Sequence, residues 1–236
     1  MAVRPRYLSL LADVKWQAAF GRQSTVEKIL DYVVTSWVEL QKHPPADMNF
    51  FQPEPKITKY FAIALFKNAK AKGITGIFIP EHPVADIVEI KQELDKRGRT
   101  DISYYSDSID PALQFVFEFK KLKPTPWGKA SRLKYAEDGI IRFVDGIYGR
   151  GADLGFMVGL VDHECDVKPV VEALRRRIQG SDLSGLLRII NNEHGDKITS
   201  PARTFKICAF ETYHARDHVK DSPDMVLGHL ILAHRS

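Results

Sequence analysis

Cysteine is scarce in this chain of 236 residues: Cys165 and Cys208 are the only two, and neither belongs to a CxxC pair. That excludes a disulfide scaffold and a cysteine-ligated zinc site, and it predicts a reducing compartment. Long apolar runs are missing as well, since no window reaches the roughly 18 uninterrupted apolar residues of a membrane-spanning helix. The basic start Met1–Arg6 is followed by an apolar stretch that Asp13, Lys15 and Gln17 interrupt, with no small-residue cleavage site after it. The expectation is therefore a cytoplasmic protein with no signal peptide and no membrane partner. There is no internal repeat and no low-complexity segment. Charge of one sign is barely in excess, at +4 with an isoelectric point near 8.9, which suits a polyanionic partner without requiring one.

What remains is the composition of a compact domain. The chain is 44% hydrophobic and 27% charged with 15 Gly and 13 Pro, unlike a disordered tail, a collagen or a coiled coil. Its length predicts one elaborated domain around a single core. Apolar residues at helical spacing predict helices over 24–42 and 55–72, the second stopped by Gly73. A short β-branched run predicts a strand buried on both faces at 74–79, while 81–100 is ambiguous. A hairpin of 100–105 and 113–122 follows, then a helix at 131–148 interrupted by Gly139, a strand at 155–161, a helix at 167–179 and a strand at 204–210. The run 225–233 reads as strand or helix.

The informative strand is 113–122. Leu113, Phe115, Phe117 and Phe119 share one face, and Gln114, Val116, Glu118 and Lys120 the other. Facing residues of a symmetric hairpin have a constant index sum, so a turn centred between Ile109 and Asp110 sets Asp101 across from Glu118. Opposed Cβ atoms about 5 Å apart let two carboxylates share one hard cation, with the Lys120 ammonium two residues along the same face. Phosphodiester hydrolysis needs those three types: carboxylates to hold Mg²⁺ against the phosphate, and a lysine to orient or deprotonate a water and add positive charge.

Asp101-Ile102, followed after a turn by Phe117-Glu118-Phe119-Lys120, resembles the PD-(D/E)xK nuclease superfamily, the fold of many restriction endonucleases. The resemblance covers roughly residues 54–161. It implies an α/β mixed-sheet fold with a restriction-endonuclease-like core in the order αβββαβ, a helical extension at 1–53 and a C-terminal elaboration at 162–236. It implies Asp101 and Glu118 as metal ligands, the Phe119 carbonyl as a backbone ligand, Lys120 as the catalytic lysine and Glu54 as the additional helix acid, with Glu81 the runner-up. Thr100 stands where a proline often precedes the aspartate. The implied activity is a Mg²⁺-dependent endonuclease cutting DNA, with Mn²⁺ as substitute and RNA as the other conceivable substrate. The implied setting is defence against foreign DNA, and double-strand cutting favours a homodimer. The competing expectation is a catalytically silent nucleic-acid-binding or assembly subunit on the same fold.

Other clusters have plainer readings. Asp110 is a rival ligand, but Asp-Pro more often fixes a bend. Asp162-His163-Glu164-Cys165-Asp166 precedes a helix, where acids favour the N-terminus, so no zinc is assigned. Gly146 to Gly151 follows a helix instead of opening one, the reverse of a phosphate-binding loop. His214 and Arg216 end a strand and could clamp phosphate, or else lie in the interior and on the surface as structural groups; His229 reads as a hydrogen-bonded buried histidine. Lys129, Arg132 and Lys134, with Arg175-Arg176-Arg177, offer basic surface for a nucleic-acid backbone, although a charge run is usually only a solvated helix face.

Overall fold

The computed structural model describes residues 7–45, 48–88, 93–108, 112–124 and 128–235, so the Met1–Arg6 start and Asp110 lie outside the described residues. It is a mixed α/β structure in three layers. Among the described residues, no helix is long and apolar enough to cross a membrane.

Helix α1 spans Tyr7–Lys42, further toward the N-terminus than the expected 24–42. Val26, Ile29, Leu30, Val33 and Trp37 are buried at helical spacing, and the Trp37 indole N–H donates to the Ala233 carbonyl at 2.6 Å. Helix α2, Glu54–Asn68, buries Ile57, Phe61 and Leu65 and is continued by a 3₁₀ turn, Lys70–Lys72. Gly73 ends it at φ +68°, a left-handed conformation that glycine adopts without a Cβ penalty.

Strand β1, Ile77–Pro80, corrects the expected doubly buried strand at 74–79. It is an edge strand antiparallel to β4 (Ile102–Ser106), so only Phe78 points inward and Ile77 stays 46% exposed. The ambiguous 81–100 segment holds a separate two-stranded antiparallel ribbon, β2 (Pro83–Val88) and β3 (Glu93–Arg99). Strand β5 is Leu113–Lys121. The expected helix 131–148 is α3 (Lys129–Lys134), a π-helical turn (Tyr135–Ile140) and α4 (Ile141–Val144). Gly139 lies in the π turn, where a Cβ would meet Met157 Cε at 2.4 Å, the end of a flexible side chain and not another backbone. Strand β6, Leu154–His163, and helix α5, Val167–Gln179, fall where expected, and α6, Ser181–Leu186, follows.

The expected strand 204–210 is not one. The backbone N–H groups of Thr204 and Phe205 donate to the buried Glu211 carboxylate at 3.2 and 2.6 Å, so they are taken before any neighbouring strand could pair with them. The strands are instead β7 (Ile198–Thr199), β8 (Phe210–His214) and β9 (Met225–Arg235), which settles the 225–233 run as strand. The seven-stranded sheet has the order β1-β4-β5-β6-β9-β8-β7, parallel only between β5 and β6 and between β6 and β9. One face packs Phe115, Phe117, Phe119 and Phe156 against α1 and α2. The other packs Val116 and Met157 against the α3–α4 segment and α5. This second face is the one that carries Glu118 and Lys120, by the alternation of β5.

Beneath the same segment runs a buried polar chain. Tyr135 Oη lies 2.9 Å from His229 Nδ1, Thr212 Oγ1 lies 2.9 Å from His229 Nε2 and 2.7 Å from His214 Nε2, and His214 Nδ1 lies 2.6 Å from the Leu187 carbonyl. Every donor and acceptor is satisfied when both rings are neutral. Burial pushes His214 down to about 4 and His229 well below its usual range. Both rings take up protons on unfolding near pH 5, so their stabilisation is complete above about pH 6.5 and is lost as pH falls toward 4. Thermal melts should therefore show the wild type losing more Tm between pH 7 and pH 4.5 than a His214→Gln variant; equal slopes would contradict the assignment.

Candidate metal and catalytic site

The pairing of β4 with β5 runs Ile102↔Phe117, Ser103↔Val116 and Tyr104↔Phe115, a constant sum that continues to Asp101 opposite Glu118. Asp101 precedes the first residue of β4, and its Oδ2 accepts the Phe119 backbone N–H at 2.7 Å. That bond replaces a ladder bond and turns the Asp101 carboxylate toward β5. Two residues along the polar face, Lys120 Nζ donates to Glu118 Oε1 at 2.5 Å and to the Phe119 carbonyl at 2.9 Å. Glu54, the first residue of α2, reaches over the strand: its Oε2 accepts the Lys121 backbone N–H at 2.6 Å and its Oε1 lies 3.7 Å from Lys120 Nζ. Asp101, Glu118, Lys120 and Glu54 are thus brought together by two strands and a helix start.

The electrostatics of this cluster are strained by burial. The Glu118 side chain is 2% exposed, and desolvation together with the neighbouring Asp101 charge pushes its carboxyl up to about 8. Desolvation likewise raises Asp101 and Glu54. Burial alone would lower the Lys120 ammonium, but the carboxylates of Glu118, Glu54 and Asp101 outweigh it and hold it above its ordinary value. Lys120 is therefore a fixed cation in the metal-free protein. Glu118 Oε2 is buried with no hydrogen-bond partner.

A hard divalent cation fits this donor set. Glu118 Oε2 is buried without a hydrogen-bond partner and desolvation raises the Asp101 carboxyl even with Lys120 beside the pair, and Mg²⁺ prefers carboxylate oxygens. Among the described residues there is no group of three or more His, Cys, Asp or Glu side chains that could hold a metal ion. Two carboxylates and the Phe119 carbonyl would leave the remaining positions to water and phosphate, the usual habit of Mg²⁺.

Arg142 and Tyr148 belong to the cluster and were missed in the sequence. Arg142 Nη1 is 3.8 Å from Glu118 Oε1 and donates to Tyr148 Oη, which in turn donates to the Arg99 carbonyl at 2.7 Å. Residues 131–148 show an apolar stripe, and Arg142 is one of three basic residues beside it, with Arg132 and Lys134; its distance from Glu118 depends on how that segment docks on the sheet. The Glu81 carboxylate faces Arg99 at 3.8 Å, and only its backbone N–H reaches Asp101, so of the two helix-acid candidates Glu54 is the one beside Lys120.

The phosphate clamp expected from His214 and Arg216 is corrected. His214 is fully buried in the polar chain, and Arg216 is fully buried with its guanidinium donating to the Gly149 and Ala152 carbonyls at 3.1 and 2.8 Å. Neither can meet a polyanion, because both side chains are fully buried. Lys129 is exposed at the start of α3 and Arg132 is half-buried. Gly146, Gly149 and Gly151 all take left-handed φ in the turns after α4, as helix termination requires. Asp162 pairs with Arg235 at the end of β6.

No family model, no curated protein and no solved structure matches the chain.

Proposed function

We propose that the chain is a Mg²⁺-dependent endonuclease that hydrolyses phosphodiester bonds of DNA, on a restriction-endonuclease-like core over residues 54–161. The observation that carries this reading is the gathering of the Asp101 and Glu118 carboxylates with the Lys120 ammonium on neighbouring antiparallel segments. The element order supports it. Helix α2, strands β1, β4 and β5, the α3–α4 segment and β6 follow the expected helix, three strands, helix and strand, with the β2–β3 ribbon inserted after the first strand.

Asp101, Glu118 and the Phe119 carbonyl would hold Mg²⁺ or Mn²⁺, which supplies Lewis acidity and positive charge at the scissile phosphate. Lys120 acts as a donor: its raised ammonium keeps its protons, so it orients the attacking water and stabilises charge on the phosphorane. Glu54 positions that ammonium from one side while it anchors the Lys121 N–H. Arg142, 40% exposed and 3.8 Å from Glu118 Oε1, adds a second cation for the phosphate or the leaving oxyanion.

The test is plasmid cleavage. Purified protein with Mg²⁺ should convert supercoiled DNA to open circles or linear product, with cutting abolished by EDTA and restored by excess Mn²⁺. Binding without cutting, across sequences and metals, would instead favour the silent nucleic-acid-binding subunit.

A further inference from the structure

Phe51 is the most exposed large hydrophobic side chain among the described residues, at 82%. It lies in the turn that enters α2, and that turn is fastened to the catalytic strand. Lys121 Nζ donates to the carbonyls on both sides of Phe51, those of Phe50 and Gln52, and stands 4.5 Å from the Phe50 ring centroid. The Phe51 N–H donates to Asn49 Oδ1 at 3.0 Å, and the Gln52 N–H to the Asn49 carbonyl at 3.1 Å. Two residues later, Glu54 takes the backbone N–H of Lys121. The chain on either side of the ring is therefore pinned to the residue next to Lys120, while the ring itself points into solvent.

An isolated exposed phenylalanine is ordinary. A ring presented by a clamped turn beside a phosphate-handling lysine has a more definite use. The turn is tied to the site itself: Lys121 Nζ is taken up by its carbonyls, and Glu54, three residues after the ring, lies 3.7 Å from Lys120 Nζ. A protein partner would more naturally be met by an apolar patch, whereas nucleic acid with a phosphate at the Lys120 site also offers flat apolar faces for a ring. A stacked duplex hides those faces, and only a single strand or a locally opened site presents one.

We propose that Phe51 stacks on an unpaired nucleobase next to the scissile phosphate, so that the substrate is single-stranded DNA or DNA opened at the site of cutting. This rests on the nuclease reading of the site, yet the two fail separately. The full-length wild type, Phe51→Ala and Phe51→Trp are titrated in EDTA, where no strand is cut, with a fluorescein-labelled single-stranded oligonucleotide and with its duplex.

Anisotropy should show Phe51→Ala binding the single strand about tenfold more weakly than wild type, the scale of one base–aromatic stack, with the duplex affinity changed less than twofold. Phe51→Trp should bind like wild type, and its emission should be quenched by the single strand beyond any change in the wild type. Equal single-strand affinity of Phe51→Ala and wild type, an unquenched Trp at position 51 in a saturated complex, or no oligonucleotide binding at all would overturn the proposal. Plasmid cutting with a silent Trp at that position would leave the nuclease reading standing and remove the stack. Quenching without any cutting would do the reverse.

Discussion

Lys120→Ala should lower the rate of Mg²⁺-dependent cleavage by about a thousandfold or more while the protein remains folded and still binds metal. The size follows from what the side chain does. One positioned donor in a water-poor site contributes on the order of 10²–10³ through charge stabilisation, and orientation of the nucleophile adds to it. Lys120 is 15% exposed and touches Glu118 and the Phe119 carbonyl, with Glu54 close by, so its loss also leaves those carboxylates without their nearest cation. Arg142 is too far to replace it, at 3.8 Å from Glu118 and already engaged with Tyr148. Lys120→Arg should recover only part of the rate, because a planar fork cannot occupy the position of a compact ammonium between two oxygens. Cleavage unchanged in Lys120→Ala, measured on circular DNA with matched circular dichroism spectra, would defeat the mechanism.

Glu118→Gln should abolish metal binding and, in the absence of metal, make the protein more stable at alkaline pH. The sign follows from the raised carboxyl. Glu118 titrates near 8 in the folded chain and near 4.5 when unfolded. Its protonated form is therefore favoured by folding, and the associated stability is complete below about pH 4.5 and lost as pH rises through 8. Glutamine carries no charge and escapes that loss. Without metal, the variant should melt several degrees above the wild type at pH 9 and close to it at pH 5, since each 1 kcal/mol moves Tm by about 2–4 °C at this size. Saturating Mg²⁺ should raise the wild-type Tm and leave the variant's unchanged, because only a group that binds the folded state stabilises it. Differential scanning fluorimetry at the two pH values, with and without Mg²⁺, checks all four arms. A variant that melts below the wild type at pH 9 without metal, or that is stabilised by Mg²⁺ as much as the wild type, contradicts this account.

The hairpin was legible because β5 alternates cleanly. Once Phe115, Phe117 and Phe119 were assigned inward, parity alone placed Glu118 with Lys120, and the index sum placed Asp101 opposite Glu118. Helix α5 was legible for the same reason, as its apolar positions repeat at one period. Arg142 could not be read in this way, because its distance from Glu118 is set by how the α3–α4 segment docks, with Gly139 admitting Met157. The segment 204–210 misled because the sequence does not reveal that Glu211 will claim its backbone donors. His214 and Arg216 misled because a polar residue at a strand end looks the same whether the strand is at the rim or enclosed. The packing of the segments around both residues decided that, and it is a property of the tertiary fold. Local pattern thus carried the residues that act along one strand, and tertiary packing carried those that act across layers.

The most direct test of the central claim is where a divalent ion binds. Crystals soaked in Mn²⁺ should give one strong anomalous peak bonded to the carboxylates of Asp101 and Glu118, absent from Glu118→Gln crystals treated identically. A peak elsewhere with that pair left bare, or no peak at saturating Mn²⁺, would contradict the account.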